Sequence, residues 1–149
     1  MRVSLKATYG IMAALDLALN NGAAPVQAKS IARRQGIPAR FLEQVLLAMK
    51  KAGLVESTRG AQGGYLLSRD PQFVSLAEIV AALDDSLAPR QIHSNGEGGR
   101  RSGKIEKVLG HVWERVRQAE LEVLGAVTLQ ELMERQQRFE AERALMYHI

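Results

Sequence analysis

KSIARRQGIPARFLEQVLLAMKKA, residues 29–52, decides the fold. Its opening residues, Lys29 to Gln35, predict a short helix that begins near Ala28 and turns Ile31 and Ala32 inward. Gly36-Ile37-Pro38 interrupts it. Glycine permits the sharp turn, Ile37 makes a buried corner, and proline suits the first position of a new helix. That helix is predicted over Ala39–Ala52, with Phe41, Leu42, Val45, Leu46 and Met49 on its buried face. Arg40, Glu43, Gln44, Ala48 and Lys51 occupy the opposite face. A short helix, a Gly-containing turn and an amphipathic second helix together form a helix-turn-helix pattern.

Gly53 closes the second helix, and Leu54–Thr58 then reads as a strand. Arg59-Gly60-Ala61-Gln62-Gly63-Gly64 follows, with Tyr65–Ser68 as the returning strand. A hairpin with a Gly-rich, Arg-bearing tip directly after a recognition-type helix is a wing, and its glycines suit close approach of the backbone to a neighbour. Upstream, Thr8–Asn20 predicts a helix whose apolar face is Ile11, Met12, Leu15, Ala18 and Leu19, ended by Asn20-Asn21-Gly22; Pro25-Val26 then runs extended. Downstream, Ser75 and Glu78 form a capping box for a helix that stops at Asp84-Asp85. Ser86–Gly103 reads as a flexible loop, Lys104–Leu124 as a long helix, and Thr128 as the start of a last helix through Leu129, Leu132 and Met133, with a polar tail to Ile149. The expected architecture is mainly α with a small β-wing. Residues 1–84 form a winged helix-turn-helix domain, 85–103 an effector or sensor loop, and 104–149 a dimerisation helix with a C-terminal helix packed back on the winged domain.

Charge is unevenly distributed. Residues 1–70 carry ten Lys/Arg against four Asp/Glu, whereas residues 71–149 carry ten against twelve. A basic front half suits an anionic partner, and with a wing and a recognition helix that partner is double-stranded DNA. Arginine reads guanine in two-pronged fashion, glutamine does the same for adenine, and glutamate accepts from cytosine. Arg40, Glu43 and Gln44, near the start of the second helix, are therefore the candidate base readers, while Lys51 reads as solvated surface. Arg59, framed by Gly60, Gly63 and Gly64, suits a narrow minor groove. Arg2, Lys6 and Tyr9, supplemented by Lys29, suit phosphate contacts.

The long helix carries an apolar seam of Ile105, Val108, Leu109, Val112, Val116, Ala119 and Val123. A helix of about twenty residues is roughly 30 Å long, more than a small winged domain can cover, so pairing with a second copy is the simple solution. A twofold dimer presents two recognition helices to a pseudo-palindromic operator. The chain has no cysteine, which removes disulfides, thiolate nucleophiles and cysteine-ligated clusters. His93 and His111 are weak candidates for a metal or haem ligand, having no local ligand spacing. No Ser/His/Asp set suggests catalysis, and Gly60–Gly64 lacks the Lys-Ser/Thr and following helix of a phosphate-binding loop. No apolar run is long enough for a membrane span, and the start lacks a signal-peptide core, so a cytoplasmic location is expected. A winged-helix protein-interaction module and a histidine-ligated metal or haem sensor are the competing readings.

Leu5-Lys6-Ala7-Thr8-Tyr9-Gly10, the run Ile37–Gln44, Gly53-Leu54-Val55 and Arg59–Leu67 resemble the IscR/NsrR/CymR, or Rrf-two, family of winged-helix regulators. The resemblance extends over residues 1–133, through Leu76-Ala77-Glu78-Ile79 and the long helix with Trp113. It implies a homodimer with crossed long helices, a palindromic operator, base contacts from Glu43, Gln44 and Arg59, and N-terminal phosphate contacts; Arg40 falls on a contacting position of variable residue type. Many members hold an iron–sulfur cluster on three cysteines in the loop that here runs Ser86–Gly103. This chain offers Ile92-His93-Ser94-Asn95-Gly96-Glu97-Gly98-Gly99 there. It resembles a cluster-free member, with no cofactor and an unidentified small-molecule or protein effector, most simply a repressor.

Overall fold

The computed structural model describes residues 3–22, 24–84, 87 and 102–148. Arg2, His93, Asp85 and most of the expected loop Ser86–Gly103 lie outside the described residues. Among the described residues, six α-helices and one hairpin follow in the order α1 (Leu5–Leu19), α2 (Ala28–Gln35), α3 (Ala39–Lys51), β1 (Val55–Thr58), β2 (Gly64–Leu67), α4 (Leu76–Leu83), α5 (Ser102–Ala126) and α6 (Leu129–Met146), with a 3-10 turn at Pro71–Phe73 before α4.

Helix α1 is the hub, packed against α2, α3, α4 and α6. It starts three residues earlier than its periodicity predicts, because Ser4 caps it by accepting the Ala7 N–H at 3.1 Å. Its buried residues also differ from the expected face. Ala7, Gly10, Ala13, Ala14, Asp16, Leu17 and Ala18 are inside, while Ile11, Met12 and Leu15 are only partly covered and Leu19 is exposed. A helix surrounded by four others has no single apolar stripe, and small side chains let its neighbours approach closely.

Asp16 is 1% exposed on this helix. Arg34 on α2 donates to it through Nε at 2.9 Å and Nη2 at 2.8 Å, and Gln35 Nε2 adds a bond of 2.9 Å. This two-pronged pair also raises the Arg34 pKa, chiefly through the hydrogen bonds to the carboxylate. It clamps α2 onto α1. Gly36 then ends α2 in the left-handed conformation, φ 65°, and Pro38 stands just before α3. Leu42, Val45, Leu46 and Met49 fill the α3 side of the core with Ile31, Leu54, Val55, Val74, Ile79 and Val80.

β1 and β2 pair antiparallel, Val55 opposite Leu67 and Thr58 opposite Gly64. The other edge of β2 is bridged by Val26, whose N–H and C=O bond Tyr65 at 2.9 and 2.8 Å. The expected capping box is present at Ser75 and Glu78. Thr128 caps α6 by accepting the Glu131 N–H at 3.2 Å. The corner between α5 and α6 is stitched to the start of α4, with Leu76 N–H donating to Val127 and Leu129 N–H to Val74, both at 2.9 Å. Helix α6 continues to Met146, so most of the segment expected as a polar tail is helical. Its i,i+4 pairs, among them Arg135 with Glu131 and Gln136 with Glu140, sustain a helix that has little to bury.

Candidate nucleic-acid interface

The exposed face of α3 carries Arg40, Glu43 and Gln44, as the periodicity predicted. Opposite them the buried side chains seat the helix against α1 and α2, so this face is held by a close-packed base. Two expected assignments on α3 need correction. Phe41 is 36% exposed and sits at the rim, where its ring meets the edge of Tyr9 on α1 at 5.4 Å between centroids and 78° between planes. Ala48, expected outside, is partly buried against the core. Leu47, on the polar face, is 52% exposed.

The wing is positioned by three ties that the sequence did not signal. Lys50 Nζ at the end of α3 donates to Ser57 Oγ on β1 at 2.6 Å. Leu54 N–H donates to the Met49 carbonyl at 2.9 Å, and Gln27 Nε2 reaches the Ala61 carbonyl at the tip at 3.4 Å. The tip closes through Gly63 N–H to Gly60 C=O at 2.9 Å, and it leaves Arg59 exposed. Close approach was expected of these glycines, and the structure shows to what. A Cβ on Gly64 would overlap the Val26 backbone, and one on Gly63 would overlap the Thr58 carbonyl. Both are required by the chain's own turn and edge pairing.

Lys6 is partly buried on α1, and Lys29 is exposed at the start of α2. Tyr9 packs partly against the core and supports Phe41, a scaffolding contact that the reading of Tyr9 as a phosphate ligand did not foresee. Among the described residues Lys6, Lys29, Arg40, Glu43, Gln44 and Arg59 make no ion pair or side-chain hydrogen bond within the chain, so their polar groups are open to an external partner.

A helix-turn-helix whose recognition helix runs into a braced, Arg-tipped hairpin is the frame of a winged-helix DNA reader. The family profile described as "Rrf2: Iron-dependent Transcriptional regulator" matches residues 3–135. The chain belongs to the Rrf2 family. Among its Rrf2 relatives, the regulator IscR of Escherichia coli O1:K1 is 38% identical over 138 residues, which is 92% of this chain and 83% of that protein. The solved structure of T. potens IscR is 37% identical with a TM-score of 0.69, over 91% of this chain and 88% of that one. CymR, the global cysteine regulator of B. subtilis, is 32% identical with a TM-score of 0.71, over 90% and 97%. As an Rrf2 protein the chain is a DNA-binding transcriptional regulator of mainly α, winged-helix fold, and its relatives are regulators rather than enzymes.

Outside the wing, α5 extends from the body. Leu121 and Leu124 near its C-terminal end pack on the core. Ile105, Val108, Leu109, Val112, Trp113, Val116 and Val123 are between 43% and 66% exposed, and Ala119 is exposed beside them. Two bonds hold the chain where it leaves α4. Asp84 Oδ2 accepts the Ser4 N–H at 3.0 Å, and the carbonyl of the buried Leu87 accepts from Arg117 Nη1 at 3.3 Å. Arg117 and Gln118 also bond Glu114 and hold its carboxyl down at about 2. His111 is exposed on α5, and among the described residues no group of three His, Cys, Asp or Glu side chains gathers to hold a metal. Among those residues, no helix is long and apolar enough to cross a membrane.

Proposed function

We propose that this chain is a cytoplasmic, homodimeric repressor that binds a pseudo-palindromic operator and occludes a promoter. The observation that carries the dimer is the apolar seam of α5. The helix has 25 residues. At about 1.5 Å per residue it is roughly 37 Å long, and among the described residues its side chains that pack on the core, Leu121 and Leu124, lie near its C-terminal end. Each half-exposed aliphatic side chain stands to gain roughly 1 kcal/mol on full burial. Two copies of such a seam offset an association cost of about 4–15 kcal/mol. A twofold axis across α5 sets two recognition helices on half-sites about 34–36 Å apart.

The family's iron chemistry does not fit this chain's donors. Iron–sulfur clusters in proteins are held chiefly by cysteine thiolates, and this sequence has none. The signal is therefore proposed to be a small molecule or a partner protein acting on residues 85–103. Its route to DNA runs through the start of that segment, where Asp84 bonds the cap of α1 and Leu87 bonds α5. Displacing either contact would alter how far apart the recognition helices sit.

Fluorescence anisotropy on a genomically selected operator, with sedimentation equilibrium, tests the proposal. A dimer is expected to bind that operator tightly and to lose affinity steeply with salt, in proportion to the phosphates neutralised. Val112→Glu should yield a folded monomer with much weakened operator binding. A wild-type monomer at working concentrations, or equal affinity for random duplex, rejects the reading.

A further inference from the structure

Leu47 is a large apolar side chain in the middle of a polar reading surface. Helix α3 advances about 100° per residue, so, taking Arg40 as the reference, Gln44 falls about 40° to one side, Glu43 about 60° to the other and Leu47 about 20° from Arg40. The buried residues Leu42, Val45, Leu46 and Met49 centre on the opposite side of the helix. Leu47 is 52% exposed and is absent from the apolar side chains that pack against the core. Packing therefore does not explain a leucine there. Its neighbours on the face are Arg40, Glu43 and Gln44, which carry base-edge chemistry, and the exposed Lys51. Among the exposed groups on base edges in the major groove, the thymine 5-methyl is the apolar one.

We infer that Leu47 reads a thymine by contact with its 5-methyl group, making it a specificity-determining residue of the recognition helix. The inference rests on the DNA-binding reading above. Leu47 lies about 4.5 Å further along α3 than Gln44, comparable with the roughly 3.4 Å rise of one base step. The thymine it reads belongs about one step beyond the base facing Gln44. Covering the methyl takes water from two apolar surfaces at once and needs no hydrogen bond. Replacing that thymine by cytosine or adenine removes the methyl and leaves the leucine facing a polar edge.

The experiment is a uracil scan of the selected operator, in which each thymine in turn is replaced by deoxyuridine, which lacks only the methyl. Wild-type protein is expected to lose roughly threefold to tenfold in affinity at one position per half-site, the scale of one buried methyl or two. Leu47→Ala should bind the unmodified operator correspondingly less well and be indifferent to uracil at that position. Leu47→Gln, equally soluble on an exposed face, should also lose the methyl response. Tight operator binding with no uracil-sensitive position, or an unchanged uracil response in Leu47→Ala, overturns the assignment and leaves the DNA-binding reading standing. Absence of operator binding by the wild-type protein removes both.

Discussion

The Asp16–Arg34 clamp makes an asymmetric prediction. Arg34→Ala strands a carboxylate that is 1% exposed, leaving it Gln35 Nε2 at 2.9 Å and a long contact from Asn20 Nδ2 at 3.5 Å. An uncompensated buried charge costs about 3–5 kcal/mol, but the Arg34 side chain is 43% exposed and water replaces part of it, so we expect about 2–3 kcal/mol. Asp16→Ala is the milder change. It removes the buried charge together with its desolvation cost, and the half-exposed guanidinium returns to water, for a loss of about 1 kcal/mol. At about 2–4 °C per kcal/mol for a chain of this size, Arg34→Ala should melt roughly 5–10 °C below wild type. Urea and thermal unfolding followed by circular dichroism, at one fixed protein concentration so that self-association is held constant, would measure this. An Arg34→Ala protein within about 0.5 kcal/mol of wild type, or an Asp16→Ala protein less stable than Arg34→Ala, would refute the reasoning.

Arg59→Ala should weaken specific operator binding by about 1–3 kcal/mol in anisotropy titrations, and an unaltered affinity would remove Arg59 from the minor groove. Glu43→Ala should relax sequence preference more than it lowers affinity; equal discrimination before and after, measured across a panel of operator variants, counts against a base contact. Gly64→Ala places a Cβ against the Val26 backbone at φ 153°, so hydrogen exchange at Val26 and Tyr65 should accelerate while α5 is unaffected. Unchanged protection there would contradict the close approach. Glu114, held at about 2 by Arg117 and Gln118, stabilises the fold above the ordinary carboxylate range and ceases to do so as pH falls toward 2. The stability gap between wild type and Glu114→Gln should therefore be widest above pH 5 and close by about pH 2; a gap that stays constant with pH would disprove the pairing.

The local elements were legible because their signals are local. Gly36 needs a left-handed backbone, Ser75 and Glu78 satisfy each other three residues apart, and the 3.6-residue period of α3 separates Arg40, Glu43 and Gln44 from the core within one helix. The charge imbalance and the missing cysteines are properties of composition, independent of folding. Those features sufficed for a winged-helix DNA reader and for the family.

Contacts between distant segments had no such signature. Which face of α1 is buried depends on four neighbouring helices, and their pressure falls on Ala13, Ala14 and Leu17 as much as on the larger residues. The burial of Asp16 follows from Arg34, 18 residues away, and the wing's brace from Gln27, 34 residues from Ala61. The exposure of Phe41 and Leu47 emerged only once Tyr9 had been set beside α3 and the core had closed without the leucine. A sequence carries periodicity, caps and charge in neighbouring residues. Which long-range partners meet, and which apolar side chains are left facing water, is settled by three-dimensional packing alone.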